Sequence, residues 1–236
     1  MSRFQDKVTL ITGAGRGIGR SLAQAFAGEG SHLLLTARTQ TELEAVAHGI
    51  EKQYGVRALP VVGDVSDETH VRAAVETALR ELGRVDVLIN NAAISNIRPI
   101  YGMPLSGWER TLAVNLTGTF LFTKHVWKAM KKQGGGVIIN LSSVGGRRGY
   151  PLLSAYCASK WGQIGFSMSA AEEGKADHIR VNVVAPGKAD TAFRAQIKED
   201  KSQMLTADDC NGVCLFLASD EAKWITGQIV EVEWYG

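Results

Sequence analysis

Cysteine is scarce: Cys157, Cys210 and Cys214 are the three in 236 residues, an odd and sparse set that excludes a disulfide-stapled scaffold and fits a reducing compartment. Proline numbers five, and no tract rich in proline and serine marks a linker, so residues 1–236 read as one domain. Long apolar runs are missing too. Candidates such as Val137–Leu141 fall far short of the ~20 residues that span a bilayer. The apolar stretch ending at Ile11 has neither the length of a signal core nor a cleavage site after it. These absences predict a cytoplasmic protein with no membrane partner. Charge of one sign is not in excess: Lys and Arg total 26 against 24 Asp and Glu. No basic block exceeds the pairs Lys131–Lys132 and Arg147–Arg148, which argues against nucleic acid as a partner. His32, His48, His70, His125 and His178 lie scattered, and Cys210 and Cys214 lack further ligands nearby, so no metal is predicted. With 45% hydrophobic and 21% charged residues, disorder is excluded as well.

What is present is alternation. Strand-length apolar runs recur at Val8–Ile11, Leu33–Leu35, Ala58–Val62, Val85–Ile89, Val137–Leu141, Ile179–Ala185 and Ile229–Val232. Between them, apolar residues return every three or four positions at Ile18–Gly28, Thr41–Tyr54, Glu68–Leu82, Leu105–Lys132, Ser154–Glu173 and Ala207–Ala218, the helical period. This order predicts an α/β fold: a single doubly wound parallel sheet with helices on both faces. Ligands of such sheets bind beyond the carboxyl ends of the strands, which directs attention to the residues after each run.

After the first run comes Thr12-Gly13-Ala14-Gly15-Arg16-Gly17-Ile18-Gly19 and then a helix. Glycines there let bare backbone approach a pyrophosphate, while the helix N-terminus supplies N–H groups and a positive dipole. The pattern is a dinucleotide cradle. After the second run the chain reads Thr36-Ala37-Arg38. A ribose 2′-hydroxyl is usually met by a carboxylate and a 2′-phosphate by a cation. With no acid at the strand end, and with Arg38 and Arg16 as cations, NADP is favoured and NAD stays possible.

Tyr156 and Lys160 are four apart, which puts both on one helix face. A cation beside a phenol favours the phenolate and fits Tyr156 for proton exchange with an alcohol or ketone. Ser142 and Ser143 end the preceding strand and could donate to a substrate oxygen. Asn115 lies mid-helix, where asparagine is a poor residue, so it reads either as a specific polar group or as a helix irregularity.

Taken together, the glycine turn, Asp64-Val65, Asn90-Asn91-Ala92, Asn115, Ser143, Tyr156-Cys157-Ala158-Ser159-Lys160 and Pro186-Gly187-Lys188-Ala189-Asp190-Thr191 resemble the classical short-chain dehydrogenase/reductases, which have the Rossmann fold. The likeness covers nearly the whole chain, and the pattern is nearest that of the 3-oxoacyl-(acyl carrier protein) reductases. Ser143 rather than Ser142 has the family's spacing to Tyr156. The resemblance implies hydride transfer between NADP(H) and a ketone or secondary alcohol. It implies Tyr156 as proton donor or acceptor, Lys160 on the nicotinamide ribose hydroxyls and lowering the tyrosine's pKa, Ser143 on the substrate oxygen, and Asn115 helping to hold a water in a proton relay. Gly13, Gly15, Arg16, Gly17, Ile18, Gly19 and Arg38 would line the cofactor with Pro186 and Gly187. Asp64 and Val65 would flank the adenine, Asn91 the adenosine ribose side, and Ala189 and Thr191 the nicotinamide carboxamide, with Ala92 also binding the cofactor.

Three departures bear on the substrate. Ala93 stands where the family usually has glycine, only 17 positions separate Thr191 from Asp208, and Glu233-Trp234-Tyr235-Gly236 replaces the usual Asp-Gly-Gly. Ile94, Ile97, Tyr101, Tyr150, Leu152, Leu153 and Phe193 suggest an apolar substrate pocket. Arg98, Arg147, Arg148 and Lys188 could meet an anionic carrier at its rim, or stand as solvated loop cations. Cys157, beside Tyr156, is expected to be partly accessible. Phe120, Phe122, Trp127, Trp161, Phe166 and Met168 exceed what one sheet face covers, which predicts self-association, and the resemblance implies a homodimer or homotetramer. A cofactor-binding regulator could share the fold, but intact Asn115, Ser143, Tyr156 and Lys160 argue for an enzyme. An epimerase or dehydratase of sugar nucleotides would need a larger substrate domain after Thr191.

Overall fold

The computed structural model describes residues 2–190 and 201–234. The expected contacts of Thr191 and Phe193 therefore lie outside the described residues. The chain alternates β1 (Val8–Thr12), α1 (Gly17–Gly28), β2 (His32–Ala37), α2 (Gln40–Tyr54), β3 (Ala58–Val62), α3 (Glu68–Leu82), β4 (Val87–Asn90), α4 (Leu105–Leu112), α5 (Gly118–Lys132), β5 (Gly136–Leu141), α6 (Ser154–Gly174), β6 (Ile179–Pro186), α7 (Asn211–Ala218) and β7 (Ile229–Val232). The strands form one seven-stranded sheet in the order β3-β2-β1-β4-β5-β6-β7, and every neighbouring pair is parallel. After β3 the chain crosses back to the far side of β1. The connections leaving β1 and β4 therefore diverge, and a crevice opens at their carboxyl ends.

Alternation along each strand splits the core in two, because successive side chains point to opposite faces. Ile11, Leu33, Leu35, Ile89 and Ile139 face one way and pack with Leu22 and Phe26 of α1, Leu43 and Ile50 of α2, and Cys214 and Leu217 of α7. Leu10, Leu34, Leu88 and Ile138 face the other way and pack with Val71 and Val75 of α3, Phe122 and Val126 of α5, and Ala170 of α6. A sheet covered on both faces has no solvent side, which is why its strands read as unbroken apolar runs. Helix ends are set locally. Asp67 caps α3 by accepting from Thr69 N at 2.9 Å, and Gly83 closes it with a φ of 82°.

The helix predicted over Leu105–Lys132 is interrupted. Between α4 and α5, Ala113–Thr117 forms a π turn in which Gly118 N–H reaches back to Ala113 O. Asn115 sits at its centre, buried. Its side chain accepts from Ile94 N at 2.8 Å and donates to Ile94 O and Ser159 Oγ, each at 2.9 Å. The side chain thus completes backbone bonds of the segment after β4. Smaller differences occur at other ends: β4 starts at Val87 instead of Val85, and the first turn of the last predicted helix, Ala207–Cys210, is a 3-10 turn.

Candidate active site

A cavity of about 530 Å³ occupies the crevice, within the ~300–1,000 Å³ of small-molecule sites. Its floor is the glycine turn. Gly13 has a φ of 67°, and a Cβ there would lie 2.9 Å from Ala92 Cα. A Cβ on Gly19 would overlap the carbonyl oxygen of Gly13. Gly19 accordingly serves the packing of α1 on the turn, while Gly13, Gly15, Arg16, Gly17 and Ile18 line the cavity. No side chain caps the N-terminus of α1, so its N–H groups are left for a ligand at the cavity floor. This cradle suits the diphosphate of a dinucleotide. Asn91 and Ala92 stand beside it. The Asn91 amide donates to Thr12 O at 2.9 Å and Gly13 O at 3.2 Å, pinning β4 to the turn.

At the end of β2, Arg38 is exposed on the cavity rim. Arg16 lies 3.9 Å from Glu42, and Glu42 also lines the cavity. The strand-end residues contain no acid, yet the first turn of α2 carries this carboxylate to the same rim. Its signal in the sequence was an acid in the first turn of the helix that follows the second strand. Asp64 and Val65 form the adjoining wall. Burial pushes the Asp64 carboxyl up, but hydrogen bonds from Arg110 and Ser66 and the Arg110 charge outweigh it and hold the group at about 2.

Across the cavity stand Ser143, Tyr156 and Lys160. The Ser143 hydroxyl, on the loop after β5, accepts from Gly145 N at 3.1 Å and donates to Pro186 O at 3.3 Å. Ser142 instead is buried and donates to Lys160 O at 3.1 Å. The Lys160 ammonium lies 5.8 Å from the centre of the Tyr156 ring. It donates to Leu141 O at 2.6 Å and Gln163 Oε1 at 3.2 Å. Complete burial lowers its pKa to about 7. Pro186, Gly187 and Ala189 line the same side. Asn115 is placed behind the wall, with its neighbour Val114 on the surface of the cavity.

The apolar substrate wall contains Ile94, Ile97, Tyr150, Leu152 and Leu153. Tyr101 does not belong to it: at 95% exposure it projects away from the cavity. Arg147 and Arg148, two of the cations expected to meet an anionic carrier, pair instead with Glu231 and Glu233 of the C-terminal strand segment, and Arg148 also donates to the Tyr150 hydroxyl at 2.8 Å. Cys157 is buried at 8% exposure, contrary to the expected access, because its side of α6 faces into the protein. Burial pushes the Cys210 thiol up to about 12 and the Cys214 thiol well above its ordinary value, which makes both inert. Phe122 is wholly buried, and Trp127 packs against the core while donating to Asp177. Phe122 is a core residue and Trp127 a partly buried one at the core's edge. Phe120 and Trp161 remain exposed, at 43% and 51%. Among the described residues no cluster of His, Cys, Asp and Glu could hold a metal, and no helix is long and apolar enough to cross a membrane.

Comparison with known proteins agrees with this fold. The sequence model of the short chain dehydrogenase family matches residues 7–202. A 3-oxoacyl-[acyl-carrier-protein] reductase of Aquifex aeolicus is 37% identical over 240 residues, 98% of this chain and 97% of that protein. A trans-4-hydroxycyclohexanecarboxylate dehydrogenase of Sinomonas cyclohexanicum is 36% identical over 241 residues, 98% of this chain and 93% of that one. Among solved structures, levodione reductase superposes with a TM-score of 0.93 at 32% identity, covering 98% of this chain and 97% of that chain. The chain belongs to the short-chain dehydrogenase/reductase family. It is an oxidoreductase acting between ketones and alcohols with a nicotinamide cofactor.

Proposed function

We propose that this enzyme is an NADP(H)-dependent carbonyl reductase, reversibly an alcohol dehydrogenase, with Ser143, Tyr156 and Lys160 as its catalytic residues and Asn115 as their support. The observation that carries the reading is convergence: a hydroxyl, a phenol and a buried ammonium from two separate segments line one cavity whose floor is the glycine turn. When bound, the nicotinamide supplies or accepts the hydride. Ser143, oriented by Gly145 N and Pro186 O, presents its hydroxyl to the carbonyl oxygen as charge gathers there. Tyr156 gives that oxygen a proton in reduction and takes it back in oxidation. Lys160 supplies positive charge beside the phenol, favours its ionised form, and offers a donor to the ribose hydroxyls. Asn115 holds the segment carrying Ile94 against α6 through Ser159, which keeps the substrate wall in register with Tyr156.

Arg38 and Arg16 at the β2 rim support a 2′-phosphate and hence NADP; Glu42 opposes it, so NADH is a weaker second cofactor. The apolar wall supports a neutral, hydrophobic ketone, and Arg147 and Arg148 are already paired with Glu231 and Glu233. The exposed Phe120 and Trp161, on adjacent helices, support self-association into a dimer or tetramer. The test is steady-state oxidation of NADPH and NADH, compared by kcat/KM, with a 3-oxoacyl thioester, 4-oxocyclohexanecarboxylate, levodione and an aromatic ketone. Turnover is expected with NADPH preferred and the neutral ketones ahead of the carboxylate. A preference for NADH would reverse the cofactor assignment, and NADPH binding without turnover of any of these would contradict the substrate class.

A further inference from the structure

The ammonium of Lys160 is not merely enclosed; it heads a chain of buried polar groups running away from the cavity. Lys160 Nζ donates to Gln163 Oε1 at 3.2 Å, Gln163 Nε2 donates to Thr119 Oγ1 at 2.8 Å, and Thr119 Oγ1 donates to the main-chain oxygen of Asn115 at 3.0 Å. Lys160, Gln163, Thr119 and Asn115 are all at most 3% exposed. Every bond points the same way, from ammonium to carbonyl. That polarity decides the orientation of the Gln163 amide, because the reverse orientation would set an NH₂ group against the ammonium and leave the threonine hydroxyl without its donor. Buried polar groups of this kind are costly unless each is satisfied, and here each link satisfies the next.

An ammonium has three donors. Leu141 O and Gln163 Oε1 take two of them from fixed positions on β5 and α6, which leaves one for the cavity that Lys160 lines. The Thr119 hydroxyl from α5 bonds the Gln163 amide, the Ser142 hydroxyl after β5 bonds Lys160 O, and on α6 the ring of the titratable Tyr156 lies 5.8 Å from Nζ. No charge from another side chain enters the balance at Lys160. The amide oxygen of Gln163 is thus the one side-chain acceptor of Nζ among the described residues.

We propose that Gln163 is a positioning residue for Lys160: held by Thr119 and the π turn at Asn115, its amide oxygen fixes the direction of the ammonium and favours its protonated form. The proposal rests on the catalytic reading of Lys160 for its importance, but its test does not need turnover. In cofactor-free protein labelled with ¹³C at lysine Cε, the Lys160 resonance is the one missing from Lys160→Met, and its titration midpoint is read by NMR. Gln163→Met removes the acceptor at similar volume and lowers the midpoint by about one pH unit. Gln163→Glu keeps the acceptor, adds a charge and raises it. Thr119→Val loosens the amide while leaving it in place and gives a smaller downward shift. Opposite shifts in the methionine and glutamate variants establish the role. A midpoint unmoved in both, with thermal stability lowered, would overturn it and make Gln163 a packing residue alone. Absence of any turnover in the wild type would contradict the proposed function, while the NMR midpoints would still decide the role of Gln163 by themselves.

Discussion

Lys160 is stripped of water, and two carbonyl oxygens stand in for it. Its folded pKa of about 7 lies below the roughly 10.4 of an unfolded lysine, so the unfolded chain binds the extra proton between those values. The penalty is fully present below pH 7 and is relieved as pH rises toward 10.4. Cofactor-free wild type is therefore expected to gain stability relative to Lys160→Met between pH 7 and 10, by on the order of a few kcal/mol, measured by urea unfolding at each pH. A constant difference across that range would show that the ammonium is not desolvated. At the opposite rim, Glu42 stands against Arg16 in the region assigned to the 2′-phosphate. Glu42→Gln is predicted to tighten NADPH about three- to tenfold while leaving NADH within about twofold, because it removes repulsion of a dianion and leaves a hydrogen-bonding amide. Fluorescence titration of the two nucleotides reads both constants. Equal changes in both would place Glu42 away from the phosphate.

At the scale of elements, the two faces of the sheet carry the stability. Phe122 is fully enclosed between α5 and the sheet, and Phe122→Ala is expected to cost about 3–5 kcal/mol in denaturant unfolding. A cost under about 1 kcal/mol would mean that this face is loosely packed. The seven strands and their order along the chain were legible because burial on both faces writes the central strands as apolar runs and the edge strands β3 and β7 keep enough apolar residues to show, and the glycine turn because its spacing needs a strand before it and a helix after it. The π turn at Asn115 was not legible. Residues 105–132 keep apolar residues at helical spacing through the interruption, and one extra residue in a turn hardly alters that pattern. Glu42 was missed for another reason: the carboxylate reaches the rim from the next helix, which strand-end reading does not inspect. Tyr101 misled because an aromatic in a loop near the site carries no sign of direction. Gln163 was hidden on the same helix as Tyr156 and Lys160, where a single glutamine among small and apolar residues gives no motif. The backbone at Leu152 is a further local feature that spacing could not show. It takes a φ of 66° in a turn with Pro151 before it and a Leu153 N to Tyr150 O bond at 3.3 Å, a place usually taken by glycine.

Over the whole molecule, the fold brings residues from every third of the chain to one crevice, and the helices on the α5 and α6 side keep apolar surface in reserve. Phe120 and Phe166 meet edge to face at 6.1 Å, and Trp161 is half exposed nearby on α6. If these surfaces join copies of the chain, Trp161→Glu shifts sedimentation from a multiple of 25.4 kDa toward 25.4 kDa, while wild type sedimenting as the 25.4 kDa species alone would contradict self-association.

Everything proposed for this cavity turns on Tyr156 supplying the proton that completes hydride transfer. The decisive experiment is NADPH consumption by Tyr156→Phe, with a ketone the wild type reduces and with NADPH affinity measured in parallel. The expected outcome is a loss of kcat of at least about 100-fold, in the range of a general acid, with NADPH affinity within about threefold of wild type. Turnover retained within tenfold of the wild-type rate would show that another group supplies the proton.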